Sequence, residues 1–377
     1  MTFAHFSERI EGLKYLTDRM ELSGSRVRRY LMRESFCTHE NVLALHFDIL
    51  QKALDIVKDH SAMTGVMQLR HLFTQVHDIR ATLDALRELR VLDEVELFEV
   101  KYFSALCRDF SILCNTLGFP YETLQSLQEA FELLDPGGSG TVSFHLYDSY
   151  SQSLSDARKL AASIDPEKEP DKWNALCDLI TEEELLVRQK LSHALHLMHD
   201  VMQENFDRIA RLEIWFAKAT LAKRYNMVRP QIVPASAPCV LSIEGMVNPV
   251  IADTLEPVNK NFQPVSIMLC SGPCLLTGAN MSGKTVVLKT LALLQALTQF
   301  SFFVPARNAS IPLVKEVFLV IGDKQDQYRG LSSFAAEMLE LDRIMAKVRK
   351  GTKVLVLADE PARTTNPAEG AAILCAL

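Results

Sequence analysis

Gly278-Ala-Asn-Met-Ser-Gly283-Lys284-Thr285 is the stretch whose reading decides the fold of this chain. It fits Gly-x-x-x-x-Gly-Lys-Ser/Thr, with the apolar segment CLLT before it and the helical pattern TVVLKTLALLQAL after it, the strand-loop-helix setting that such a loop requires. Each residue type has a physical task. Glycines let backbone N–H groups curl around phosphate oxygens, and a helix N-terminus offers orphan donors and the positive end of its dipole. Lys284 is suited to reach β and γ phosphates, and the Thr285 hydroxyl to ligate Mg²⁺. Gly278, Gly283, Lys284 and Thr285 are therefore candidate nucleotide-binding residues.

Downstream, Lys353-Val-Leu-Val-Leu-Ala-Asp359-Glu360 reads as a buried parallel strand with two carboxylates at its C-terminal edge, where open α/β sheets bind ligands. An apolar strand ending in Asp-Glu is common. Standing 75 residues after Lys284 in the same domain, it becomes the other half of a site. Asp359 would hold Mg²⁺, and Glu360 would orient or activate the attacking water.

Outward from this pair, the chain changes character at Arg229-Pro230. After it come short β-branched stretches, Gln231–Val233, Cys239–Ile243, Val265–Leu269 and Leu275–Thr277, and then an alternation of loop, helix and strand that predicts an α/β domain with a largely parallel sheet. Before it, apolar residues recur at helical spacing up to about Phe131. Asp135-Pro-Gly-Gly-Ser-Gly140 and the alternating Thr141–Tyr147 predict a small hairpin near 135–147. Helical patterns resume over Tyr150–Ile164 and over a long run from Thr181 to Tyr225, with Glu182, Glu183 and Glu184 crowding its expected first turn. The predicted organisation is a helical domain over 1–228 and the α/β domain over 229–377.

A third segment points to a family. Ile321-Gly-Asp-Lys-Gln-Asp-Gln-Tyr-Arg-Gly330 leads into Leu331-Ser332-Ser333-Phe334-Ala-Ala-Glu337-Met338, which resembles the MutS signature Arg-Gly-x-Ser-Thr-Phe-x-x-Glu-Met. The loop is similar to that family's Thr-Gly-Pro-Asn-Met-Gly-Gly-Lys-Ser, and Asp359-Glu360-Pro-Ala-Arg363-Thr-Thr365 to its Asp-Glu-x-Gly-Arg-Gly-Thr. Ala222-Lys-Arg-Tyr225-Asn226 and Glu244-Gly-Met-Val-Asn248-Pro249 match the region before the loop, so the resemblance runs in register over about 210–377.

The resemblance implies a multidomain chain: a helical, lever-like domain followed by an ABC-type, MutS-like P-loop ATPase domain, with ATP and Mg²⁺ as cofactors. It adds Asn280 and Asn261 to the nucleotide-binding set and makes Ser332 the residue that caps, in trans, the γ-phosphate held by a second subunit. A homodimer, or a heterodimer with a related subunit, follows, with DNA as the family's client. Several positions depart from the pattern. Val258 falls where an aromatic often stacks adenine, and Ala279, Ser282, Pro361, Ala362 and Asn366 replace family-typical residues. The sequence ends 17 residues past Glu360, so the ATPase domain is expected to be truncated, and the N-terminal half is expected to lack the mismatch-reading and clamp domains. That departure motivates an alternative: an ATP-dependent reactivation factor for a metabolic enzyme, such as a cobalamin-dependent aminomutase, without DNA.

Composition bounds these readings. With 48% hydrophobic and 23% charged residues over 377 positions, the chain has ordinary globular composition, with no apolar run long enough for a membrane helix and no signal peptide pattern. A cytoplasmic protein is expected. The net charge of −7 supplies no global footprint for nucleic acid. The eight cysteines lack zinc spacing and read as packed thiols, Cys270 and Cys274 included. Asp135–Leu146 imitates a calcium loop, but Gly137 and Leu146 stand where carboxylates are needed, so a structural turn is expected. His193, His196 and His199 read as a helix face rather than a metal site.

Overall fold

The computed structural model describes residues 1–234, 237–238, 240–279, 282–320 and 333–360 (side chains of the last stretch from 338), with the single positions 366 and 372. In chain order the helices begin with α1 (Phe3–Arg9), α2 (Glu11–Asp18), α3 (Ser25–Arg33) and α4 (Glu40–Lys58). Then come α5 (Met63–Gln75), α6 (Arg80–Arg87), α7 (Glu94–Thr116), α8 (Gln128–Leu133), α9 (Gln152–Ser163), α10 (Pro170–His196) and α11 (His199–Arg224). The strands β1 (Gln231–Val233) and β2 (Leu241–Met246) precede α12 (Pro249–Leu255) and β3 (Val265–Leu269). After these come α13 (Lys284–Gln299), β4 (Asn308–Pro312), β5 (Glu316–Val320), α14 (Ser333–Arg349) and β6 (Val354–Ala358). Two compact units emerge: Met1–Leu22, Arg28–Lys58 and Ile214–Leu377 form one, and Ser23–Val27 with Asp59–Glu213 form the other. By compactness, then, the first 22 residues and 28–58 group with the α/β half.

In the helical unit, termini follow capping chemistry. Asp93 accepts the Glu96 N–H at 2.8 Å while the Glu96 carboxylate accepts the Asp93 N–H at 2.9 Å, a reciprocal box that starts the 23-residue α7. The helix expected from Thr181 begins at Pro170 instead, since proline in the first turn loses no intrahelical bond. The three glutamates thus lie within it, where Glu183 accepts from the Ser151 hydroxyl at 2.8 Å and Glu184 pairs with Arg158 at 2.8 Å. The run also breaks at Leu197 and Met198, which separates His199 from His193 and His196. No hairpin forms at 135–147: the segment is a turn followed by chain without strand pairing. Asp135 accepts the Gly140 N–H at 2.8 Å and the Ser139 hydroxyl at 2.7 Å, and the fully buried Lys101 of α7 donates to Asp135 at 3.2 Å and to the Ser143 carbonyl at 2.9 Å. The Gly140 N–H and the Ser143 carbonyl are therefore already engaged and not free for a ladder. Asp135 serves Lys101, as a structural turn requires, and no cluster of metal-ligating side chains occurs among the described residues.

The α/β unit holds a four-stranded sheet in the order β1-β4-β2-β3 and a separate parallel pair, β5-β6. Only β1–β4 and β5–β6 are parallel, whereas β2 runs antiparallel to both β3 and β4, so the expected largely parallel sheet is a small mixed one. Leu275–Thr277, expected as a strand, takes no ladder partner among the described residues, and Leu275 is 85% exposed. β3 closes its pairing with β2, ending at Leu269 opposite Leu241, and the chain turns through Gly272 before reaching these residues. Cys270 and Cys274 flank that turn and are exposed, contrary to the packed state expected for them; Cys107 is buried. The unit's core is aromatic and helical. Phe6 stacks on Phe36 at 4.6 Å, Phe3 meets Phe300 edge-on at 4.9 Å, and every residue of α13 from Thr290 to Gln299 is buried. Gly12 of α2 sits against Leu293 of α13 so closely that a Cβ would come within 2.8 Å of it, which accounts for a glycine inside a helix.

Candidate functional site

Parallel pairing of β5 and β6 runs in register from Glu316 opposite Val354 to Val320 opposite Ala358. One further bond, from the Asp359 N–H to the Val320 carbonyl at 2.9 Å, carries the ladder past the strand end. Asp359 is thereby fixed at the C-terminal edge of the pair. The next residue, Glu360, has φ of +45°, a left-handed conformation unusual for a side chain with a Cβ. Glu360 is exposed.

Facing this edge is the start of α13. Gly283 precedes the helix with φ of +92°, a conformation that favours glycine, and its carbonyl accepts the first intrahelical bond, from Val287, at 3.0 Å. The N–H groups of the first turn have no intrahelical acceptor and collect the positive end of the dipole. The half-buried Lys284 curls its Nζ back over the loop, donating to the carbonyls of Gly278 at 2.8 Å and Ala279 at 2.9 Å. Thr285 points to the strand pair, and its Oγ1 donates to Asp359 Oδ2 at 2.5 Å. Residues 74 positions apart are thus in contact, one from each predicted half-motif. The structure brings together Gly278, Gly283, Lys284, Thr285 and Asp359 with Glu360 next in chain; Asn261 is exposed on the segment after α12, and Asn280 and Ser332 lie outside the described residues.

The hydroxyl of Thr285 and the carboxylate of Asp359 are hard oxygen donors meeting at one point, and this chemistry fits a Mg²⁺ ion carrying its own waters and phosphate oxygens. A charged amine, orphan helix N–H groups and a carboxylate one residue farther on complete an arrangement able to hold and activate a phosphorylated ligand.

Sequence reading missed the residues that hold α13 in place. Asn248 caps α12, accepting from Val250 at 3.1 Å, and its amide donates to Thr290 Oγ1 of α13 at 3.0 Å in a buried contact. At the other end, the Gln299 amide donates to the carbonyls of Cys37 and Val314, both at 2.8 Å, and its carbonyl accepts the Val314 N–H at 3.2 Å. Asn-Pro at 248–249 carried a capping signal. Gln299 carried none.

This geometry defines an α/β domain with a glycine-rich loop at a helix N-terminus beside a strand that ends in two acids. The family model for MutS domain V matches residues 274–377, the stretch that carries these elements. The chain is 30% identical over 205 residues to a DNA mismatch repair protein MutS of Petrotoga mobilis, covering 52% of this chain and 24% of that protein. It is 31% identical over 222 residues to an endonuclease MutS2 of Leuconostoc mesenteroides, covering 58% and 27%, and 31% identical over 261 residues to a MutS of Desulfovibrio desulfuricans, covering 66% and 26%. The matched part thus spans about a quarter of the length of these relatives. Residues 274–377 thus carry a MutS domain V, and the chain is similar to MutS and MutS2 proteins.

Proposed function

We propose that this chain binds Mg²⁺-ATP at the Gly278–Thr285 loop and hydrolyses it as one half of a two-chain site. The observation that carries the reading is the 2.5 Å contact between Thr285 and Asp359, which joins the phosphate-loop helix to the acid-bearing strand. Lys284 contacts the β and γ phosphates, backbone N–H groups of Gly278, Asn280 and Gly283 cradle them, and Asn261 lies toward the nucleoside. Thr285 and Asp359 would hold the ion, which would supply positive charge to offset that of the phosphates. Glu360 accepts a hydrogen bond from the attacking water; water oxygen bonds to the γ phosphorus as its bond to the bridging oxygen breaks. Ser332 caps the γ-phosphate bound by the other subunit, a second copy or a related chain. Nucleotide-driven pairing then acts on the helical unit, in the cytoplasm; no helix among the described residues is long and apolar enough to cross a membrane. Relatives named for mismatch repair and for endonuclease activity support DNA as the client.

One observation favours a second reading. α9 and α10 are joined by only the turn between Ser163 and Pro170, so no DNA-gripping domain is inserted between them. A motor of this kind acting on a protein client, such as a metabolic enzyme in need of reactivation, suits that short turn. ATP turnover in Lys284→Ala and Glu360→Gln tests the shared mechanism: loss in both is expected, and unchanged turnover in both sinks it. Duplex binding that weakens steeply with salt selects the DNA client, and co-purification with an enzyme in its absence selects the other.

A further inference from the structure

β5 and β6 have a second edge. Their N-terminal ends lie about 17 Å from Asp359, by the rise of the intervening strand, and Lys315 and Lys353 immediately precede the two strands there. The Lys315 N–H donates to the Lys353 carbonyl at 2.8 Å, which holds the two lysines side by side on adjacent chains. Lys350 joins them from the turn after α14, where Gly351 with φ of +74° reverses the chain and the Thr352 N–H closes on the Lys347 carbonyl at 3.1 Å. These three side chains line a cavity of about 680 Å³. Among the described residues none of the three is ion-paired, whereas the neighbouring Lys347 is neutralised by both oxygens of Glu316.

The other walls complete a chemical description. Val314 and Pro312 give the cavity an apolar floor, and His39 and Glu40, at the start of α4, also line it. The first bond within α4 runs from Leu43 to the His39 carbonyl, leaving the N–H groups of Glu40 and Asn41 without intrahelical partners. Three lysines against one carboxylate leave the cavity positive in a chain whose net charge is −7. Repulsion among unpaired ammonium groups is relieved by an anion, and 680 Å³ lies in the range of small-molecule sites rather than of an extended groove for a polymer.

We propose that this cavity, at the strand edge opposite the Lys284 loop, binds a phosphate-bearing small molecule of about nucleotide size, with Lys315, Lys350 and Lys353 on the phosphates and the apolar floor under its body. The site gives the domain a second anion sensor, joined to the first through the short β5-β6 pair.

Inorganic pyrophosphate titrated calorimetrically into the full chain tests this, with Lys284→Ala used to silence the loop. The Lys284→Ala protein should retain one pyrophosphate site, and adding Lys315→Ala, Lys350→Ala and Lys353→Ala should weaken it roughly 10- to 100-fold, as expected for loss of charge-assisted contacts. All three lysines are exposed, so the fold is left intact, which the unfolding midpoint checks. Residual binding that ignores the three substitutions overturns the proposal, as does a Lys284→Ala protein that binds no pyrophosphate. Binding of duplex DNA but not of pyrophosphate at these lysines also overturns it, in favour of a polymer. Should Lys284→Ala leave the total number of sites unchanged while the triple substitution removes one, the cavity stands and the phosphate-loop reading fails.

Discussion

Acidification should loosen the far end of the loop helix through a single imidazole, His46. Its Nδ1 lies 2.8 Å from the Ser301 hydroxyl, its ring meets Trp215 edge-on at 5.3 Å, and the fully buried Lys218 lies against the same indole. Burial, with the Lys218 charge second, lowers the His46 pKa from 6.5 to about 4. The fold therefore favours the neutral ring: between pH 6.5 and about 4 the unfolded chain binds more protons than the folded one, and stability falls as pH falls through that window. At 1.36 kcal/mol per unit the ceiling is about 3 kcal/mol, and partial solvent access to the ring reduces it to about 1–2 kcal/mol. Urea unfolding of a Trp173→Phe protein, in which Trp215 alone fluoresces, would be compared with the same protein carrying His46→Gln. Carboxylates and Lys218 are common to both and cancel. The stability of the His46 protein relative to the Gln protein should drop by about 1–2 kcal/mol from pH 7.5 to pH 4.5. A difference that is flat with pH, or that grows on acidification, refutes the reasoning.

Three other outcomes follow from the geometry. Asp359→Asn keeps the shape of the Thr285 contact but removes the charge, so fluorescent-nucleotide affinity should fall about tenfold or more with Mg²⁺ and change little in EDTA; equal losses in both would contradict an ion-binding role. Lys101→Met leaves Asp135 and the Ser143 carbonyl without their buried donor and should cost the helical unit about 3–5 kcal/mol, read by far-UV unfolding; a cost under about 1 kcal/mol would show the pair to be dispensable. Maleimide labelling mapped by mass spectrometry should modify Cys270 and Cys274 well before Cys107 and Cys114, because the first two are exposed and burial raises the pKa of both others, that of Cys114 to about 12. Uniform labelling rates would argue against the open turn at Gly272.

What was legible in the sequence were the local signals with a strict chemical requirement. Gly283 needs a positive φ, and an apolar strand can end in two acids only at an edge, so the residues at both places could be named in advance; the helix starts at Pro170 and Pro249 were not read from the sequence. Sheet composition was legible too, since Val265–Leu269 forms a strand as read. Pairing was not. Which strand lies beside which is decided by closure of the whole sheet, and nothing in Leu241–Met246 says that it will run antiparallel to two neighbours. The supposed hairpin at 135–147 failed for a related reason: alternation at Thr141–Tyr147 is a pattern of faces, and a buried lysine 42 positions away from Ser143 took the carbonyl that a ladder would have used.

The least legible feature governs how α13 is held at the end remote from the loop. Gln295, Thr298 and Gln299 would mark a solvated face in an ordinary amphipathic helix, yet all three are buried. Their polarity is used. Gln295 donates to the Gln299 carbonyl at 2.7 Å and to the Pro312 carbonyl at 3.0 Å, while Gln299 reaches Cys37 and Val314. The main chain beyond β4 and the segment before α4 are thus fastened to the last turn of the helix whose first turn carries Lys284 and Thr285. One residue past the helix, the Lys218 amine donates to the Phe300 carbonyl at 2.9 Å and to Glu34 at 3.0 Å, with burial lowering its pKa. A helix of 16 residues with directional bonds at both ends is expected to pass a displacement of the loop to its far end, whereas an apolar last turn would let the helix slide on its neighbours. Replacing Gln299 with Leu should therefore do more than destabilise: nucleotide affinity at the intact loop should persist while its effect on hydrogen exchange at Val314, whose N–H donates to the Gln299 side-chain carbonyl, disappears; the Cys37 N–H, bonded to the main-chain carbonyl of residue 299, serves as the control. Retained protection changes at the Val314 amide in the Leu variant would show that the Gln299 side chain does not couple that segment to the helix.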